Sequence, residues 1–190
     1  GGPSSVYDDD APPFDDAWLD LSVPILGICY GMQLLARNAG GEVERAEVRE
    51  YGFASVETRQ HPLFRDVDTN TDVWMSHGDH VATAPAGWRV VASSENCPVA
   101  AMANEEASRV AIQFHPEVTH SAQGTTMIRN FLFDMCGVTP DWTMGSFIDE
   151  QVDMIRRQVG TEHVICGMSG GVDSTVTAQL LHRAIGEQLH

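Results

Sequence analysis

Residues 23–35, V-P-I-L-G-I-C-Y-G-M-Q-L-L, change period in the middle, and few folds accommodate such a change around a single cysteine. Val23, Ile25, Leu26 and Ile28 form a short apolar run with β-branched members, the pattern of a strand covered on both faces. From Met32 onward the period is helical, with Leu34, Leu35 and Ala39 on one stripe and Gly40-Gly41 as the stop. Cys29 therefore falls at a strand-to-helix turn, where Gly27 and Gly31 leave room for a tight backbone and a closely approaching ligand. A thiol at a helix N-terminus is expected to have a lowered pKa and to lie beside backbone N–H groups suited to an oxyanion. A small buried core residue would also fit the end of such a strand, since free cysteines are commonly buried. The bracketing glycines, together with a candidate base downstream, favour a nucleophile.

That base is His115. The apolar run at 109–114, R-V-A-I-Q-F, reads as a strand that delivers His115-Pro116-Glu117 at its C-terminal end, the end where ligands sit in open α/β sheets. Residues i and i+2 of an extended chain point to the same side, so His115 can take the thiol proton while Glu117 fixes its tautomer. A strand at 72–75 is expected to end in the polar turn Ser76-His77-Gly78-Asp79-His80. His77, Asp79 and His80 could hold a metal by residue type, but no supporting context accompanies them and no metal is expected. His61, His120, His163, His182 and His190 read as surface or helix residues.

The remaining segments organise around these motifs. A short helix near 17–21 follows an acidic loop, 42–58 alternates as a hairpin, and strands are expected at 88–93 and 99–103. Residues 125–135 carry Met127, Ile128, Phe131, Leu132 and Met135 on one helical face. A Pro-containing connector at 138–143 leads to a helix at 146–159. A fresh strand at 163–168 then runs into Ser169-Gly170-Gly171-Val172-Asp173-Ser174 and a new helix. Such a turn forms an anion nest suited to phosphate, although the Walker A pattern is absent.

Composition excludes several classes. The net charge is −16, and all 11 basic residues are Arg, a surface that disfavours nucleic acid and fits a salty cytoplasm. No run of about 18 apolar residues and no basic-then-apolar leader is present, so a cytoplasmic protein with no membrane span is expected. Cys29, Cys97, Cys136 and Cys166 are far apart and read as free thiols. The sequence starts without Met in a Gly-Gly-Pro turn and stops within a helical pattern, so a piece of a longer protein is expected.

G-I-C-Y-G-M-Q resembles the nucleophile segment of the class I glutamine amidotransferases, and F-H-P-E-V resembles their His/Glu segment. S-G-G-V-D-S resembles the PP-loop of the ATP pyrophosphatases. In that order on one chain, and with W-M-S-H-G-D and M-A-N-E-E, they resemble the glutamine-hydrolysing family that aminates XMP to GMP. The resemblance implies an α/β fold, with an amidotransferase-like open mixed/parallel sheet and flanking helices over 1–138. Residues 139–190 would hold a linker helix and the first βα unit of a PP-loop domain. It also implies Cys29 as nucleophile, His115 as base and Glu117 as its partner, with the N–H groups of Gly2 and Tyr30 as oxyanion hole. Gln33, Ser76, His77, Gly78 and Asp79 would hold glutamine. Ser169, Gly170, Gly171, Val172, Asp173, Ser174 and Thr175 would hold ATP. Glutamine, ATP and XMP are the implied substrates, with Mg²⁺ assisting in a homodimeric parent and no tightly bound cofactor. The 190 residues alone are expected to be inactive in synthesis. Another class I amidotransferase, or an inert piece of the fold, is the alternative.

Overall fold

The computed structural model describes residues 5–12, 14–106, 108–140 and 143–190, with the side chains of 46–49 also outside the description. The expected contribution of Gly2 falls outside the described residues. The chain forms two compact units, Gly1–Val138 and Thr139–His190.

The first unit is built on a six-stranded mixed sheet. Its strands are β1 (Ile25–Ile28), β2 (Glu42–Thr58), β3 (Asn70–Thr83), β4 (Arg89–Ser93), β5 (Ala101–Asn104) and β6 (Arg109–Ile112), in spatial order β1-β6-β5-β4-β2-β3. β1 and β6 are parallel, with Ile28 opposite Ile112, and the other neighbours are antiparallel. Helix α1 (Tyr30–Asn38) follows β1 directly. Helix α2 (Gly124–Asn130) continues into a wider π turn at Phe131–Met135, so the single helix expected at 125–135 changes winding part-way. The short helix expected near 17–21 is a 3-10 segment, Asp16–Asp20.

The pleat places successive residues of β6 in opposite cores. Val110 and Ile112 pack with Val56, Val73, Met75, Phe114 and Met127, whereas Ala111 packs with Met32, Leu35, Val43, Val81 and Met102. Both sheet faces are therefore covered, which explains the nearly uninterrupted apolar run.

Further sequence expectations change in this unit, beginning with β6, which ends at Ile112 so that 113–117 is bend and turn rather than extended strand. Residues 42–58 form one long strand rather than a hairpin, because Glu42–Arg45 and Glu50–Glu57 pair with the same partner, β3, on either side of an irregularity between Arg45 and Glu50. β3 does not stop at Ser76 but runs on to Thr83, with alternate residues facing inward throughout. The inward row crosses from one core at Met75 to the other at Val81, and His77 and Asp79 occupy the crossing. His61 is buried rather than at the surface. Its Nδ1 accepts a hydrogen bond from the Leu63 N–H at 3.2 Å and caps the 3-10 turn Pro62–Phe64.

In the second unit, α3 (Met144–Val159) packs on α4 (Val172–Ile185) through Val152, Ala184 and Ile185, flanked by Ile148, Ile155 and Leu180. Thr143 and Ser146 form a reciprocal cap at the start of α3. Arg156 Nε donates to the Ala184 carbonyl at 2.9 Å and ties α3 to the last turn of α4. The strand expected at 163–168 is reduced to a single parallel bridge between Val164 and Leu189. Among the described residues only the 188–190 backbone lies alongside to pair with it.

Candidate active site

Cys29 sits at the junction of β1 and α1 with φ 51° and ψ −107°, a backbone state that a side chain seldom adopts. Its N–H donates to the Ile112 carbonyl at 2.8 Å, while its own carbonyl accepts from Met32 and Gln33 and so opens the helix. The turn is tight because Gly27 lies against α1: a Cβ there would come within 2.6 Å of Leu35 Cδ1 and 2.9 Å of the Gly31 carbonyl oxygen.

The parallel pairing brings the two halves of the site to one sheet edge. Cys29 follows Ile28, and His115 lies three residues beyond its partner Ile112. β3 passes across this edge and holds both. The Trp74 carbonyl accepts from the His115 N–H at 2.9 Å, and the Ser76 carbonyl accepts from the Cys29 thiol at 3.6 Å. These carbonyls are two residues apart on one strand, a spacing of about 7 Å. The Pro116 backbone is fixed by α2, since a Cβ on Gly124 would meet the Pro116 carbonyl oxygen at 2.0 Å.

His115 Nδ1 lies 2.7 Å from Glu117 Oε1, with the imidazole 17% exposed and the carboxylate 47%. An ionised carboxylate only accepts, so in the neutral imidazole the proton sits on Nδ1 and the lone pair on Nε2. Sulfur chemistry at Cys29 departs from the expectation. Burial pushes the thiol pKa up, opposed by the Tyr30 backbone N–H and the Gln113 amide and reinforced by the Glu117 charge. The helix start alone does not lower it. The Tyr30 N–H, proposed for the oxyanion hole, thus lies beside the sulfur.

The segment expected to hold glutamine is part of a strand, not a turn. Ser76 and Gly78 face one side, while His77 and Asp79 face the core. His77, with its side chain 2% exposed, places Nε2 3.1 Å from Glu50 Oε2 and Nδ1 3.0 Å from the Asp79 carbonyl. The Asp79 carboxylate accepts from the Ser5 hydroxyl. Gln33, 3% exposed, donates Nε2 to the Asp79 carbonyl at 2.9 Å. Among the described residues, the group able to surround a metal is Glu50, His77 and Cys97, with ligand atoms within 4.8 Å of one another, and it shares only His77 with the trio His77, Asp79 and His80. Its thiol donates to the Val99 carbonyl at 3.4 Å, and burial, with the Glu50 charge, pushes its pKa up to about 12. Protonated at neutral pH, Cys97 serves as a core residue there.

The second candidate site is exposed. Gly170 has φ 82°, and Gly171 opens α4 without a side-chain cap, so the first-turn N–H groups of α4 have no capping side chain. Ser174 Oγ, Thr175 Oγ1 and the Thr175 N–H all bond back to the Gly171 carbonyl, at 3.0, 2.9 and 3.1 Å, and Ser169 Oγ reaches Ser174 Oγ at 3.2 Å.

Residues 1–135 match the family glutamine amidotransferase class-I, and residues 146–190 match NAD synthase. The chain belongs to the class-I glutamine amidotransferase family. It is 56% identical to a glutamine-hydrolysing GMP synthase of Lactobacillus acidophilus and 53% identical to one of Geobacillus kaustophilus. In each case it is covered completely and spans 37% of the relative's length. A solved glutamine amidotransferase from Thermotoga maritima aligns over 99% of this chain and 69% of its own, with TM-score 0.55 and 23% identity, a likeness of fold.

Within this amidotransferase, sequence reasoning missed Gln113 and Glu50. Gln113 is fully buried, and its Nε2 lies 3.6 Å from the Cys29 sulfur. The signal was available: a lone amide inside V-A-I-Q-F must find partners in the core. Glu50 gave none, because its partner lies 27 residues away across the β2–β3 ladder.

Proposed function

We propose that this chain hydrolyses glutamine with Cys29 as nucleophile, His115 as general base and acid, and Glu117 as the group that orients His115. The observation that supports this reading is that the parallel pairing of β1 and β6 sends a strained, helix-opening cysteine and a carboxylate-bound histidine out from the same end of the sheet. His115 Nε2 takes the thiol proton, and the sulfur attacks the side-chain carbonyl carbon of glutamine. Charge gathers on the former carbonyl oxygen, where the Tyr30 N–H donates, with Gly2 as the second donor. His115 returns its proton to the leaving nitrogen, ammonia departs, and a glutamyl thioester remains. Water, deprotonated by His115, then cleaves the C–S bond and releases glutamate and the thiol. Gln33 and the 76–79 strand form the wall along which glutamine lies, His77 contributing through its backbone.

The ammonia serves ATP-dependent amination of XMP, making the gene product that carries this sequence a glutamine-hydrolysing GMP synthase of the cytoplasm, working as a homodimer. Residues 1–138 form the amidotransferase domain and 139–190 open the synthetase domain. Identity of 56% over the whole chain to a protein of that name supports this. The residues at 169–175 fit a polyphosphate, since a glycine turn and uncapped helix N–H groups are an anion nest. Mg²⁺ would neutralise phosphate charge there, with Asp173 of the first turn as the carboxylate nearest in sequence. The test is Cys29→Ala in that gene product. GMP formation from glutamine should vanish while GMP formation from added ammonium persists. Loss of both, or of neither, would refute the division of labour.

A further inference from the structure

Gln113 has no role in the scheme above, yet it is a fully buried polar side chain within 3.6 Å of the reacting sulfur. Its environment also fixes which end of its amide faces that sulfur. The Asp79 backbone carbonyl can only accept, so Gln33 must turn its NH2 group toward it, at 2.9 Å. The same Gln33 nitrogen lies 3.5 Å from Gln113 Oε1. Gln113 therefore presents its oxygen to Gln33 and its NH2 to Cys29 Sγ, 3.6 Å away. His77 Nδ1 also reaches the Asp79 carbonyl, at 3.0 Å, and is braced from behind by Glu50. The order Asp79 carbonyl, Gln33, Gln113, Cys29 is a buried relay that ends with an N–H aimed at sulfur.

We propose that Gln113 is a further catalytic residue: its side-chain N–H donates to the Cys29 sulfur and stabilises the thiolate, with Gln33 as the positioning residue that sets the direction of the amide. This rests on Cys29 being the nucleophile. The resting thiol donates to the Ser76 carbonyl, leaving sulfur lone pairs free for Gln113. Once the proton moves to His115, the Ser76 carbonyl faces the anion with its own lone pairs and repels it, whereas the Gln113 donor gains strength from the charge. Burial, which works against ionisation of Cys29, is thereby offset where the Tyr30 N–H also points. The links differ in length, and the 3.5 Å step between the two amides is long, so direct loss of Gln113 should outweigh loss of Gln33.

The test is the pH profile of Cys29 alkylation by iodoacetamide, followed on the Cys29-containing peptide by mass spectrometry, alongside steady-state glutamine hydrolysis. In Gln113→Met, of similar shape but without a donor, the alkylation midpoint should rise by about one pH unit, a tenfold loss of thiolate at a given pH. kcat should fall about tenfold with KM little changed. Gln113→Glu, which turns an acceptor toward the sulfur, should shift the midpoint further; if its buried charge prevents folding, the Met variant decides alone. Gln33→Met should shift it in the same direction by less. An unchanged alkylation midpoint in Gln113→Met would overturn the inference whatever happens to turnover. A shifted midpoint in a protein that releases no glutamate would leave Gln113 as a donor to the Cys29 thiolate but overturn its catalytic role together with the glutaminase reading.

Discussion

Cys97 shows how burial without a counter-charge governs a thiol. Burial comes first and the Glu50 charge second in pushing its pKa from 9.0 to about 12. Above pH 9 the unfolded chain loses this proton while the folded chain keeps it, so the folded state binds more protons and stability falls as pH rises through the 9 to 12 window. The full span would be worth up to about 4 kcal/mol. Cys97→Ala should therefore flatten the fall in melting temperature between pH 8.5 and 10.5; an unchanged slope would count against the assignment. Cys29 is buried too, though less deeply, and a peptide N–H and an amide face its sulfur. That contrast was not legible in the sequence, because all four cysteines look alike until their neighbours are known. The elbow at Cys29 was legible, since a change of period bracketed by glycines has few backbone solutions. The partnership of His115 and Glu117 was legible too, but not its geometry: β6 ends at Ile112, and the two side chains meet across a turn at 115–117 rather than along an extended strand.

At the scale of elements, two glycines near the site should respond in opposite directions. Gly124 opens α2 with the Pro116 carbonyl 2.0 Å from where a Cβ would stand, so Gly124→Ala must push α2 and the 115–117 segment apart. A loss of about 1 to 3 kcal/mol is expected, with hydrolysis reduced as His115 moves. Gly31 lies in the first turn of α1 with nothing within 4 Å of a Cβ, and Gly31→Ala should stabilise the chain by about 0.5 to 1 kcal/mol. Thermal melts of both variants decide this; equal destabilisation would show that the elbow tolerates no side chain at all. Element types along β1, α1 and β6 were readable because both faces of the sheet are covered and the apolar runs are continuous. β2 and β3 were not. Their pairing is long-range, and polar residues at 76–80 imitate a turn when they are in fact a strand crossing from one core to the other. Around 163–168 the run I-C-G-M looks like a strand, but a ladder needs neighbours, and only a single bridge forms.

At the scale of the whole chain, 27 acidic residues face 11 arginines, giving −16 over 190 residues. The repulsion is screened over about 10 Å at 0.1 M salt. The melting temperature should accordingly rise between low and molar KCl, and a flat or falling curve would refute self-repulsion as a dominant cost. The central claim concerns the first unit: that its sheet edge exists to run acyl transfer through one sulfur. Quenching the protein during turnover with isotopically labelled glutamine, and mapping the label by peptide mass spectrometry, tests that claim most directly. The expected result is a glutamyl adduct on the Cys29 peptide, lost in Cys29→Ala together with glutamate release. Glutamate released at an undiminished rate by Cys29→Ala, or label on Cys97, Cys136 or Cys166 instead, would contradict it.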